Sequence, residues 1–135
     1  MQVIDFSPRL AEPILKFDST GASSVALGDG AGEAHAYCLY LEPGGQIGRH
    51  PAGFGQLFLV VQGAGWAAGV DGIRVALRSG QAACFERGEM HSKGSDTGMT
   101  AVMIQVRDLE PRQPAPGREA GSCPHIPASA PAHRS

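Results

Sequence analysis

Short apolar runs separated by glycine-rich breaks set the pattern of this chain. Residues 56–62 (QLFLVVQ) form the strongest run, which stops at Gly63. Residues 100–107 (TAVMIQVR) form another, entered through Asp96, Thr97 and Gly98. Both are rich in β-branched and large apolar residues, and both predict strands. Residues 34–41 read as a strand ended by Glu42, Pro43, Gly44 and Gly45, a turn in which proline fixes φ and glycine supplies positive φ. Residues 65–70 and 73–77 flank Asp71-Gly72, the signal of a two-residue hairpin. Residues 81–85 are a short strand before the turn Glu86-Arg87-Gly88, and residues 90–93 continue as another. Near the N-terminus, residues 14–17 and 23–27 predict edge strands. No segment keeps a 3.6-residue apolar period over eleven residues, so helices are not expected.

Glycine and proline are unevenly spread, and this sets the boundaries. Thirteen of the 19 glycines lie from Gly44 to Gly98, where they punctuate runs at the spacing of all-β sandwiches and barrels. Six of the ten prolines lie in residues 111–135, mixed with Ala, Ser and Gly. That Pro/Ala-rich stretch has too few large apolar residues to offset its ordering entropy and is expected to be a flexible tail behind a domain of residues 1–110. The expected fold is all-β: a small antiparallel barrel of the jelly-roll type, since many short strands need closure or a second sheet to hide their edges.

The 135 residues fit one domain. A net charge of −2 supplies no basic field for nucleic acid or an anionic membrane. No apolar run is long enough to span a bilayer, and the first ten residues lack the apolar stretch of a signal peptide, so a cytoplasmic protein is expected. Cys38, Cys84 and Cys123 cannot all pair and form no CxxC, which fits reduced thiols. Cys38 and Cys84, inside apolar strands, are expected in the core. No phosphate-binding glycine loop and no Gly-x-Ser-x-Gly elbow occurs.

Histidine and glycine spacing is more specific. Gly44 is followed by five residues and His50; Ala52, Gln56 and Gly63 follow in step. Later, Gly80 is followed by five residues, then Glu86, Gly88, His91 and Ser95. Residues 34–107 thereby resemble the cupin superfamily, whose two motifs run G-x5-H-x-H-x3-4-E-x6-G and G-x5-P-x-G-x2-H-x3-N. Ala52 stands for the second His, Gln56 for the Glu, Glu86 for the Pro and Ser95 for the Asn. The resemblance implies a double-stranded β-helix with a metal site in its mouth. Of the four ligand positions, His50 and His91 are kept, while Ala52 and Gln56 depart from the pattern.

Two functional readings follow. In the first, His50, Gln56 and His91 form a polar cluster that holds a small organic molecule without turnover and without a cofactor. In the second, the resemblance implies a metal-dependent enzyme of the dioxygenase or isomerase kind, with one divalent ion (Zn, Fe, Ni or Mn) on His50 and His91 and with Gln56 or a nearby carboxylate completing the shell. A neutral amide is a weak ligand, and the loss of two positions favours the first reading. Glu89, two residues before His91, would share its face on a strand. Phe54, Phe58, Tyr37 and Tyr40 are candidate aromatic walls, Phe54 as a lid between Gly53 and Gly55. Arg49 and Trp66 read as surface, packing or interface residues. The near-continuous apolar runs LFLVV and AVMIQV suit burial on both faces, and a homodimer is expected.

Overall fold

The computed structural model describes residues 1–112, and all the larger elements are strands. They are β1 (Gln2–Asp5), β2 (Glu12–Pro13), β3 (Ser23–Ser24), β4 (Gly28–Leu41), β5 (Gln46–Pro51), β6 (Gly55–Ala68), β7 (Arg74–Arg78), β8 (Gln81–Phe85), β9 (Met90–Gly94) and β10 (Met99–Pro111). A short 3-10 turn, Pro8–Leu10, follows β1. The antiparallel order β1-β8-β6-β10-β4 makes one sheet. The far half of β6 leaves that sheet and pairs with β7 and β9, and β9 in turn pairs with β5. One strand therefore serves both walls.

The crossing point explains why the run does not stop at Gly63. β6 carries on through Gly63 and Gly65 to Ala68, with a register shift against β10 and φ of +82° at Gly63. A Cβ at Gly63 would collide with the Gly98 carbonyl, so only glycine lets the two backbones come this close.

Alternation along β6 feeds two cores. Phe58 and Val60 pack inward with Ala83, Phe85, Met99 and Ala101. Leu57 and Leu59 pack on the opposite face with Ile4, Ala82 and Cys84. Burial on both faces is what the unbroken LFLVV run requires.

Among the described residues β4 pairs only with β10, and nearly all its residues are exposed. Its alternation puts Leu39 and Leu41 against the inner core, and leaves Tyr40, 75% exposed, on the outer face. The expectation of a core Cys38 is therefore corrected. Cys38 is exposed because the outer face of this edge strand has no cover among the described residues, while Cys84 is buried in the cluster with Ile4, Leu57 and Leu59.

Other boundaries moved. Residues 14–17 are not a strand; Phe17 and Asp18 turn the chain with positive φ. Pro111 belongs to β10, and Arg112 donates its backbone N–H to Leu27 and pairs with Asp29. The remainder of the expected tail, 113–135, lies outside the described residues.

Ser95, at the position of the motif asparagine, ties both walls to the turn before β5. Its hydroxyl donates to the Ala64 carbonyl at 2.6 Å and accepts from Gly98 N–H at 2.8 Å. Its backbone N–H donates to Gly45 O and its carbonyl accepts from Gly44 N–H. Ser95→Ala leaves the part-buried Gly98 N–H and Ala64 carbonyl without their partner and is expected to cost about 1 kcal/mol. A fall in denaturant midpoint at unchanged slope checks it.

Candidate functional site

β5 and β9 lie antiparallel with His50 directly opposite His91, so register alone brings the two imidazoles together. Their Nε2 atoms are 3.3 Å apart and the rings meet edge to face at 4.6 Å. His50 is exposed at the barrel mouth, and its Nδ1 donates to the Gly48 carbonyl at 2.7 Å. His91 is fully buried, 4.5 Å from the Phe85 ring. Its Nδ1 has no hydrogen-bond partner among the described residues. Burial, then the nearby charge of Lys93 and then His50, push the His91 pKa down to about 3.

Two residues beyond His91, on the same inner face of β9, stands Lys93. It is 1% exposed, and its ammonium donates to Gln56 Oε1. The Met103 sulfur lies 3.8 Å from Nζ, and the rings of Phe58 and Phe85 lie 5.1 and 5.4 Å away. No carboxylate forms an ion pair with it among the described residues. Burial pushes its pKa down to about 8. Gln56 is itself buried, held on β6 between Phe85 on β8 and Gln105 on β10.

The structure brings His50 and His91 together and joins Gln56 to Lys93, which sequence reasoning missed. The available signal was position: two residues after His91 on a strand. Lysine's usual place at the surface masked it.

The other candidates divide. Phe58 is fully buried beneath the ammonium. Phe54 stacks on His35 at 6.1 Å, and His35 on Tyr37 at 6.4 Å, which makes an aromatic rim. Two expectations are corrected. Tyr40 lies on the outer face, because Leu39 and Leu41 take the inward positions. Glu89 is not brought to the imidazoles, because β9 begins only at Met90. Its carboxylate takes the Met1 ammonium at 2.7 Å and the Glu86 N–H at 2.9 Å. Arg49 donates to the Gly69 and Val70 carbonyls and clamps the β6–β7 hairpin. The Arg74 guanidinium covers Trp66 at 3.8 Å.

The donor set is a poor match for a resident metal ion. Two imidazole nitrogens 3.3 Å apart have a spacing one ion could bridge. A catalytic centre needs about three protein ligands, and no group of three or more His, Cys, Asp or Glu side chains comes together among the described residues. Ala52, at the second histidine position, is buried in the apolar core. The amide at the carboxylate position already accepts from a cation, which itself repels a second one.

Comparison with solved structures shows that this architecture shares the double-stranded β-helix fold of cupin proteins. A cupin 2 conserved barrel protein from Salinispora arenicola superposes with a TM-score of 0.50 at 16% identity, covering 54% of this chain and 62% of that one. A conserved protein with a double-stranded β-helix domain from Klebsiella pneumoniae gives 0.52 at 19% identity, covering 67% and 76%. A cupin-like protein from Thermotoga maritima gives 0.52 at 18% identity, covering 62% and 68%. The chain thus spans under two thirds of the Salinispora protein's length. At these identities the likeness is one of fold alone. No family model and no curated protein matches the sequence. No helix of the described residues is long and apolar enough to cross a membrane.

Proposed function

We propose that this barrel binds a small organic molecule in its mouth without a metal, and that the ligand sets an oxygen acceptor, carboxylate or carbonyl, against Lys93. The observation that carries this reading is the buried ammonium, held by one amide oxygen with no carboxylate to neutralise it. Taking an ammonium out of water costs several kcal/mol, and a fold built for stability alone would put an apolar side chain there. A ligand oxygen can use the donors left on Nζ, while exposed His50 and the rim formed by His35, Tyr37 and Phe54 present polar and stacking surface.

Thermal unfolding of chelator-treated protein with pyruvate or acetate tests this. At about 100 times Kd a ligand that binds only the folded state adds about 2.7 kcal/mol. The expected result is saturable stabilisation by one of these acids, unchanged by chelator and lost in Lys93→Met. Stabilisation that appears only after zinc, iron, nickel or manganese is added would overturn it in favour of a metal-dependent enzyme.

The second copy of the chain is also part of this reading. Among the described residues β4 is a 14-residue strand with one unpaired edge and with Ala34, Ala36, Cys38 and Tyr40 exposed on its outer face. Long uncovered edges with apolar faces invite pairing, and a homodimer through β4 covers both edge and face. Light scattering at micromolar concentration should give twice the 14.0 kDa chain mass. A Tyr40→Glu variant should shift the protein to a single chain.

A further inference from the structure

The hydrogen bonds fix the tautomers of the histidine pair. The Gly48 carbonyl only accepts, so His50 Nδ1 carries the proton. In neutral His50 the Nε2 atom is then a lone pair, and His91 Nε2 must donate to it. That leaves His91 Nδ1 as a bare lone pair, buried and without a partner. A proton that reaches His91 Nδ1 from the interior lets His91 Nε2 pass its hydrogen to His50 Nε2 while His50 Nδ1 releases one at the mouth, and the reverse sequence carries a proton inward. The pair is a two-ring path for a proton between the exposed mouth and the barrel interior. Lys93 stands two residues from its inner end, and both side chains lie against the Phe85 ring.

We propose that Lys93 condenses reversibly with the carbonyl carbon of a small aldehyde or 2-oxo acid, with the His50–His91 pair relaying the protons. This rests on the reading of the mouth as a ligand site. The unprotonated amine forms the N–C bond as the carbonyl π pair moves to oxygen. The nitrogen loses one proton and the oxygen gains one, which gives a carbinolamine. A second proton delivered to that hydroxyl releases water as the C=N bond forms, so amine plus carbonyl gives Schiff base plus water with no oxidant or reductant. The site suits this chemistry. The amine has an apolar wall of Phe58, Phe85 and Met103 and is locked in no carboxylate ion pair among the described residues. Dehydration of a carbinolamine needs a proton carrier that reaches water, and exposed His50 supplies it.

The chain has only two lysines, and Lys16 is exposed, so the protein contains its own reference amine. The full-length protein is incubated with glyoxylate and sodium cyanoborohydride at neutral pH, and the reduced adducts are mapped by peptide mass. The expected result is saturable labelling of Lys93 that outruns Lys16 by about tenfold or more, and a drop of about 100-fold at Lys93 but not at Lys16 in His50→Gln. His50 is exposed, so that variant keeps the core intact. Labelling of Lys16 with Lys93 untouched in folded protein overturns the proposal. Lys93 labelling that is unchanged in His50→Gln overturns the relay. Stabilisation of the fold by glyoxylate without an adduct overturns condensation and leaves the binding reading standing. Neither stabilisation nor adduct overturns both.

Discussion

The double variant Lys93→Met, Gln56→Leu is expected to be about 1–4 kcal/mol more stable than the parent at pH 7, and to lose ligand binding. The ammonium is buried against two aromatic rings and a thioether, with one amide oxygen as its polar partner. Methionine fills nearly the same volume without the charge, and Gln56→Leu removes the amide that would be orphaned. Lys93→Met alone gains less, because the buried Gln56 oxygen loses its donor and costs about 1–3 kcal/mol. The pH dependence isolates the charge. The lysine pKa is about 8 in the fold against 10.5 for the ordinary side chain. Between those values the unfolded chain holds a proton that the folded chain has released, so stability rises with pH across this window. It is fully present above 10.5 and is lost as pH falls to about 8. The full span is about 3 kcal/mol. Denaturant titrations from pH 7 to 9, below the range where burial keeps the Cys84 thiol protonated in the fold alone, should show the start of this rise in the parent and a flat line in the double variant. A parent no steeper than the variant would mean that the amine is not buried in solution.

A buried ammonium with one amide oxygen as its polar partner is the unusual feature of this core. This is also where sequence reasoning fell short. The strands of the inner wall were legible because LFLVV and AVMIQV are apolar on both faces, and both cores use them. The motif glycines were legible because Gly44, Gly63, Gly80 and Gly88 all need positive φ. β5 was not, because QIGRHP is mostly polar, with a glycine and a proline, and it is held by pairing with β9 and not by propensity. Tyr40 and Cys38 were misplaced for a related reason: alternation says that neighbours face opposite ways, but not which face lacks a cover. Glu89 failed by one residue, since period-2 logic applies only inside the strand, and the strand starts at Met90. His50 and His91 stand opposite each other, while Gln56 takes Lys93 as its partner and not an imidazole. Lys93 needed the structure, because nothing local marks a lysine as buried.

Acid should unfold this protein through His91. The imidazole is fully buried and its pKa is about 3, against 6.5 in an ordinary environment. Between these values the unfolded chain binds a proton that the folded chain refuses. Stability is therefore complete above about 6.5 and is lost as pH falls toward 3. One group with this shift accounts for at most about 5 kcal/mol, comparable to the whole stability of a marginal domain. The cause lies in the surroundings of the ring. Burial removes water, Lys93 adds a like charge, and His50 adds a second imidazole. Hydrogen bonds cannot rescue the cation, because Nδ1 has no acceptor within reach. His91→Leu keeps an apolar side chain against Phe85 and leaves His50 Nε2 to water at the exposed mouth. The variant should match the parent within about 2 kcal/mol at pH 7. Below pH 6 it should hold its denaturant midpoint where the parent falls by close to one proton's slope per pH unit. The two proteins differ in this side chain alone, so the difference between the two curves reports this ring. Two parallel curves would show that His91 is protonated without cost, and the tautomer order that leaves its Nδ1 bare would then be wrong.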